Sequence, residues 1–102
     1  GYQKYYEASG RLYQYAVEIE SRPGEFTPYI NMARELSNLE EFNSALLIIG
    51  DGLEKNRNHP NLLHARLLVQ LQQGDLAGAR ETAMYMESLG IGVDPQLKQM
   101  LR

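Results

Sequence analysis

The two histidines, His59 and His64, stand five positions apart with Pro60 between them. A helical zinc pair needs ligands at i and i+4 on one face and a third ligand beside them. The sequence supplies neither, so both are expected as loop or surface histidines, with no metal or other cofactor. The carboxylates are scattered as Glu18 with Glu20, Glu40 with Glu41, and Asp51 with Glu54. None flanks a nucleophile, and a carboxylate retuned for acid–base work needs burial. No serine sits in a nucleophile elbow. With no cysteine there is no thiolate nucleophile, thiolate metal site or disulfide. Gly50-Asp51-Gly52 follows no strand, as a phosphate loop would require. No catalytic centre emerges, and the chain is not expected to be an enzyme. What remains is recognition chemistry. Asn31, Arg34 and Asn38 follow one another at intervals of three and four, so a helix puts them on one face. Amides and a guanidinium there can hydrogen-bond a peptide backbone or a carboxylate.

The elements that would carry such a face are marked by proline and glycine. Breaks fall at Arg22-Pro23-Gly24, Asn58-His59-Pro60, Gly74-Asp75 and residues 90–95. Between them apolar residues recur three or four apart, as in Tyr5, Ala8, Leu12, Ala16 and Ile19, and again in Leu36, Leu39, Phe42, Ala45, Ile49 and Leu53. Period-two alternation is absent, and the chain reads as all-α. Thr27-Pro28 and Asp94-Pro95 look like an N-cap followed by proline in the first turn. Pro60 opens a helix after the 56–58 loop, and Gly74-Asp75 ends one helix and caps the next. The spacing predicts helices over residues 3–21, 27–38, 41–56, 60–73, 75–89 and 95–101.

An internal repeat organises these helices. Tyr5, Phe42 and Leu76 are each followed three places later by alanine, at Ala8, Ala45 and Ala79. The intervals between these alanines are 37 and 34, and Pro28, Pro60 and Pro95 recur at 32 and 35. A helix–turn–helix unit of this period resembles the tetratricopeptide repeat (TPR) family. Residues 26–55 carry the resemblance best, with Tyr29, Met32, Ala33 and Leu36 at the core positions of the first helix and Phe42, Ala45, Ile49 and Gly52 at those of the second. The next repeat keeps Gly74-Asp75-Leu76, Ala79, Ala83 and Met86. Its first helix has two registers: Leu63, Arg66, Leu67 and Gln70, or, one place on, His64, Leu67, Leu68 and Leu71, which is the more apolar. The resemblance spans residues 5–93. It implies a short right-handed solenoid of stacked antiparallel helix–turn–helix repeats, one domain over residues 1–102: a leading helix at 3–21, repeats at 26–59 and 60–93, and a short terminal helix at 95–101. Small residues at Ala33, Ala45, Gly52 and Ala79 would let the helices cross closely.

In TPR proteins that bind peptides, the inner helices line a concave groove. Carried onto this sequence, the groove-facing set is Thr27, Ile30, Asn31, Arg34, Ser37 and Asn38 from one helix. The following helix adds Asn61, His64, Ala65, Leu68 and Gln72. The lysine–asparagine clamp of chaperone-binding members is not matched, because Ile30 replaces its first lysine and Arg34 its asparagine. Chaperone C-terminal tails are therefore not expected as ligands. Five of the seven tyrosines, Tyr2, Tyr5, Tyr6, Tyr13 and Tyr15, lie in the first fifteen positions. A Tyr-rich face marks a protein interface, so Tyr2, Tyr5, Tyr6 and Tyr13 are candidates for self-association and homo-oligomer formation.

Length and composition bound the reading. The 102 residues suffice for one domain, and 43% hydrophobic with 23% charged residues excludes a disordered chain. The longest apolar run, residues 45–50, is too short to insert into a membrane. A net charge of −3 argues against nucleic acid, including RNA reading by a pentatricopeptide-like array. The chain begins with Gly1 and carries about two repeats, so it is expected to be a piece of a longer array, with cytoplasm and periplasm equally open. The Gly74-Asp75-Leu76-Ala77-Gly78-Ala79-Arg80 segment resembles bacterial repeats, which by analogy serve secretion, pilus or envelope assembly. The leading expectation is a non-catalytic module that binds a protein or peptide on its concave face. The alternative is a spacer or self-association element of a larger scaffold.

Overall fold

The computed structural model describes residues 10–102. Every regular element among them is an α-helix: α1 (Arg11–Ser21), α2 (Thr27–Asn38), α3 (Phe42–Lys55), α4 (Pro60–Gln73), α5 (Leu76–Ser88) and α6 (Pro95–Met100). All but α1 match the expected spans to within one position at each end, because prolines and caps act locally. Pro28, Pro60 and Pro95 each stand in the first turn of a helix. Asp75 accepts from Gly78 N–H at 3.0 Å and Asp94 from Gln96 N–H at 2.8 Å. His59 does the same work through Nδ1, which accepts from Asn61 N–H at 3.1 Å. Thr27 does not cap: it is the first helical residue, and Phe26 precedes it without a side-chain hydrogen bond. Of the helix expected over residues 3–21, positions 3–9 lie outside the described residues, and the described helix begins at Arg11. Gly10 has φ 79°, a left-handed conformation that an α-helix cannot carry through.

The helix ends repeat as regularly as the caps. Glu41 N–H donates to Leu36 O at 2.9 Å around Glu40, and Asp75 N–H donates to Gln70 O at 2.9 Å around Gly74. These two turns are the same motif one repeat apart, with a left-handed residue (φ 62° and 85°) closing each helix. A third copy follows α5, where Gly90 has φ 79° and Ile91 N–H donates to Met86 O.

Two apolar clusters fill the interior. The first joins α1 to α4 through Ile19, Tyr29, Met32, Leu36, Ile49, Leu62 and Val69. The second joins α4 to α6 through Leu63, Leu67, Ala79, Ala83, Met86, Val93 and Leu101. Helix α4 feeds both, and Leu53 of α3 packs against each. This settles the register of α4: Leu63, Leu67 and Gln70 are buried, while Arg66, His64 and Leu68 are exposed. The more apolar alternative register is therefore wrong. Gln70 tolerates burial because its Oε1 accepts from Thr82 Oγ1 at 2.6 Å, so a polar side chain serves as a core position. The described part measures 41 × 25 × 17 Å, longer in one direction than a sphere of this chain length. Among the described residues no helix is long and apolar enough to cross a membrane.

Candidate functional site

Helices α2 and α4 touch along their lengths and run parallel. At their N-terminal ends Phe26 stacks on His59, ring centroids 4.0 Å apart and planes 29° from parallel. At their C-terminal ends Ser37 Oγ donates to Gln72 Oε1 at 2.8 Å, and Gln72 Nε2 donates to Ser37 O at 3.4 Å. These two ties fix the relative register, so that positions one repeat apart lie level: Thr27 with Asn61, Ile30 with His64, Arg34 with Leu68. Between the ties the helices enclose a groove of about 400 Å³, within the usual range for a ligand site.

The floor and walls of the groove are apolar: Ala33 and Val69 are buried, Ile30 and Ala65 half-buried, and Leu68 is 42% exposed toward the opening. Asn31, Arg34, Asn61 and His64 supply the polar groups. Among the described residues none of these four side chains is engaged in an ion pair or hydrogen bond. Among the described residues Arg34 is the one permanent charge in the lining, and no Asp or Glu joins it, although the whole chain carries −3.

Of the residues anticipated for this face, Thr27, Ile30, Asn31, Arg34, Ser37, Asn61, Ala65, His64, Leu68 and Gln72 all line the groove. Asn38 does not; it is exposed at the end of α2, beyond the Ser37–Gln72 tie. Ser37 and Gln72 line it in a different role from the one expected. Ser37 is buried and both are bonded to each other, so they bridge the groove near its end. A hydroxyl whose proton goes to an amide oxygen is not activated as a nucleophile. Phe26, Ala33 and Val69 were not anticipated; Phe26 was findable as the apolar residue preceding α2, and Val69 as the level partner of Glu35. Of the tyrosines expected to serve self-association, Tyr2, Tyr5 and Tyr6 lie outside the described residues. Tyr13 is on α1 and 46% exposed.

A second cavity of about 380 Å³ opens on the opposite side of α4, bounded by Leu53, Arg57, Asn58, Leu63, Arg66, Glu81, Thr82 and Tyr85. Tyr85 Oη donates to Asn58 Oδ1 at 2.6 Å, tying the 56–58 loop to α5. Its described lining carries two arginines, Arg57 and Arg66, against Glu81. Among the described residues no group of three His, Cys, Asp or Glu is placed to hold a metal ion. No protein-family model, no curated protein and no solved structure matches the chain.

Proposed function

We propose that the chain is a non-catalytic protein–protein interaction module, a short TPR-like solenoid that holds a segment of a partner protein in the α2/α4 groove. The observation that carries this reading is the groove itself: Asn31, Arg34, Asn61 and His64, all without partners of their own among the described residues, stand over an apolar floor bridged near each end by a contact between the helices. Unbonded amides and a guanidinium beside apolar surface suit a peptide, whose backbone needs hydrogen bonds and whose side chains need burial. The solenoid reading is supported by the helix-ending turn that recurs from Glu40 to Gly74 and by the parallel course of α2 and α4. Capture of partners from a native lysate with the wild-type chain, beside an Asn31→Ala, Arg34→Glu variant, tests the proposal. The groove reading expects a partner that the variant loses; partners held equally by both would move the surface elsewhere.

A second reading, self-association through α1, draws on Tyr13 and Val17. They stand at i and i+4 on one face, 46% and 37% exposed. It expects concentration-dependent sedimentation that Tyr13→Glu abolishes, and a strictly monomeric chain at high concentration would end it.

A further inference from the structure

Resting on the groove reading, we propose that the partner segment is extended and carries an internal aspartate or glutamate, whose carboxylate pairs with Arg34 while a neighbouring aliphatic side chain lies on Ile30, Leu68 and Val69. The sign follows from the lining. Arg34 is exposed at the groove with no counter-ion among the described residues, and no carboxylate of the described residues shares the lining. On a chain of net charge −3, a groove whose described lining carries a cation and no carboxylate is a surface that locally favours an acidic segment. The guanidinium matches a carboxylate bidentately, which gives geometry as well as charge.

The extended form follows from span and hydrogen bonding. From Thr27 to Ser37 the groove runs roughly 15 Å along α2 at the helical rise, the span of about four or five extended residues. An extended stretch presents unpaired backbone groups to the unbonded amides of Asn31 and Asn61, whereas a helix has already paired its own. His64 lies level with Ile30, one turn before Arg34. A ring N–H there is about 6 Å along the axis from the guanidinium, close to the two-residue repeat of an extended chain. The commitment to a side-chain carboxylate follows from the end of the groove nearest Arg34. Ser37 and Gln72 bridge it, and their polar groups already bond each other. Ser37 Oγ–H and one Gln72 N–H are committed to that contact, and a segment laid over it can turn one side chain onto Arg34.

The test is a selection on the whole chain with random hexapeptides held between Gly/Ser linkers, so that no peptide terminus is free, beside a second library displayed at a free C-terminus. The proposal expects the internal library to yield Asp or Glu at one position with an aliphatic residue within two places of it. Selection on Arg34→Glu then replaces that acid by Lys or Arg. A synthetic, capped winner loses at least about tenfold in affinity on Arg34→Glu and on Arg34→Leu, as expected for a charge-assisted hydrogen bond. Both variants alter an exposed position, and matched circular dichroism melts establish that they are folded. Winners without an acid that are lost on Leu68→Glu but kept on Arg34→Glu would overturn the acidic partner and leave the groove standing. Winners from the free-C-terminus library alone would overturn the side-chain assignment. Winners indifferent to both Arg34 and Leu68, or no winners at all, would overturn the groove reading as well.

Discussion

Tyr29 is buried in the first apolar cluster, and its hydroxyl donates to Pro23 O at 3.1 Å. Burial, and secondarily the negative charge of Asp51, raises its pKa above the ordinary tyrosine value. The folded state therefore holds this proton more tightly than the unfolded one. The contribution to stability is intact below the ordinary tyrosine value and is lost as pH rises through the raised one. Tyr29→Phe is expected to cost about 1 kcal/mol at neutral pH through the lost hydrogen bond and to flatten the alkaline loss above about pH 10. Urea melts of both proteins from neutral to alkaline pH check this, and parallel profiles would contradict it. Glu40 offers a gain instead. It holds φ 62° in the turn whose equivalent position in the next repeat is Gly74. A side chain in that conformation costs roughly 1 kcal/mol relative to glycine, so Glu40→Gly is expected to raise stability by about that amount in the same melts. A lower midpoint would show that Glu40 makes a compensating contact.

Within α3 two glycines, separated by Asp51 alone, answer to different demands. A Cβ on Gly50 meets nothing within 4 Å, whereas one on Gly52 falls 3.0 Å from Tyr29 Cγ and 3.1 Å from Leu62 Cδ2. Gly50→Ala is expected to stabilise by about 0.5–1 kcal/mol through helix propensity. Gly52→Ala gains the same propensity but overpacks a fully buried crossing, so it should fall below Gly50→Ala by about 1–3 kcal/mol. Equal melting temperatures would mean that α2 and α4 can move apart from α3. The small residue at this crossing was legible in the sequence, as were the helix starts at Pro28, Pro60 and Pro95, because each of these residues constrains its own neighbourhood. Gly10 was not: it interrupts an apolar stripe from Tyr5 to Ile19 that reads as continuous. The register of α4 was misleading for a physical reason. One of its leucines, Leu68, faces the groove and one of its core positions is Gln70, so the apolar count favoured the wrong face.

Across the whole molecule, the two apolar clusters meet at α4, and α6 covers the far end of α5 with Val93 and Leu101 buried. Arg80 Nε donates to Leu101 O at 2.6 Å and Lys98 pairs with Glu87 at 2.6 Å, holding that end in place. The positions lining the α2/α4 groove were readable from the repeat offset, once Asn31, Arg34 and His64 were set on successive inner helices. Its bridged ends were not readable, because Phe26–His59 and Ser37–Gln72 are contacts between helices that spacing alone does not pair. The claim that this groove is the working surface is tested most directly by the amide NMR spectrum of the chain, titrated with a hexapeptide selected as above. The account predicts shifts concentrated at Ile30, Asn31, Arg34, Asn61, His64 and Leu68, with Leu47 and Met84 on other faces unmoved. Shifts centred on α3, α5 or the second cavity, with the groove silent, would contradict it.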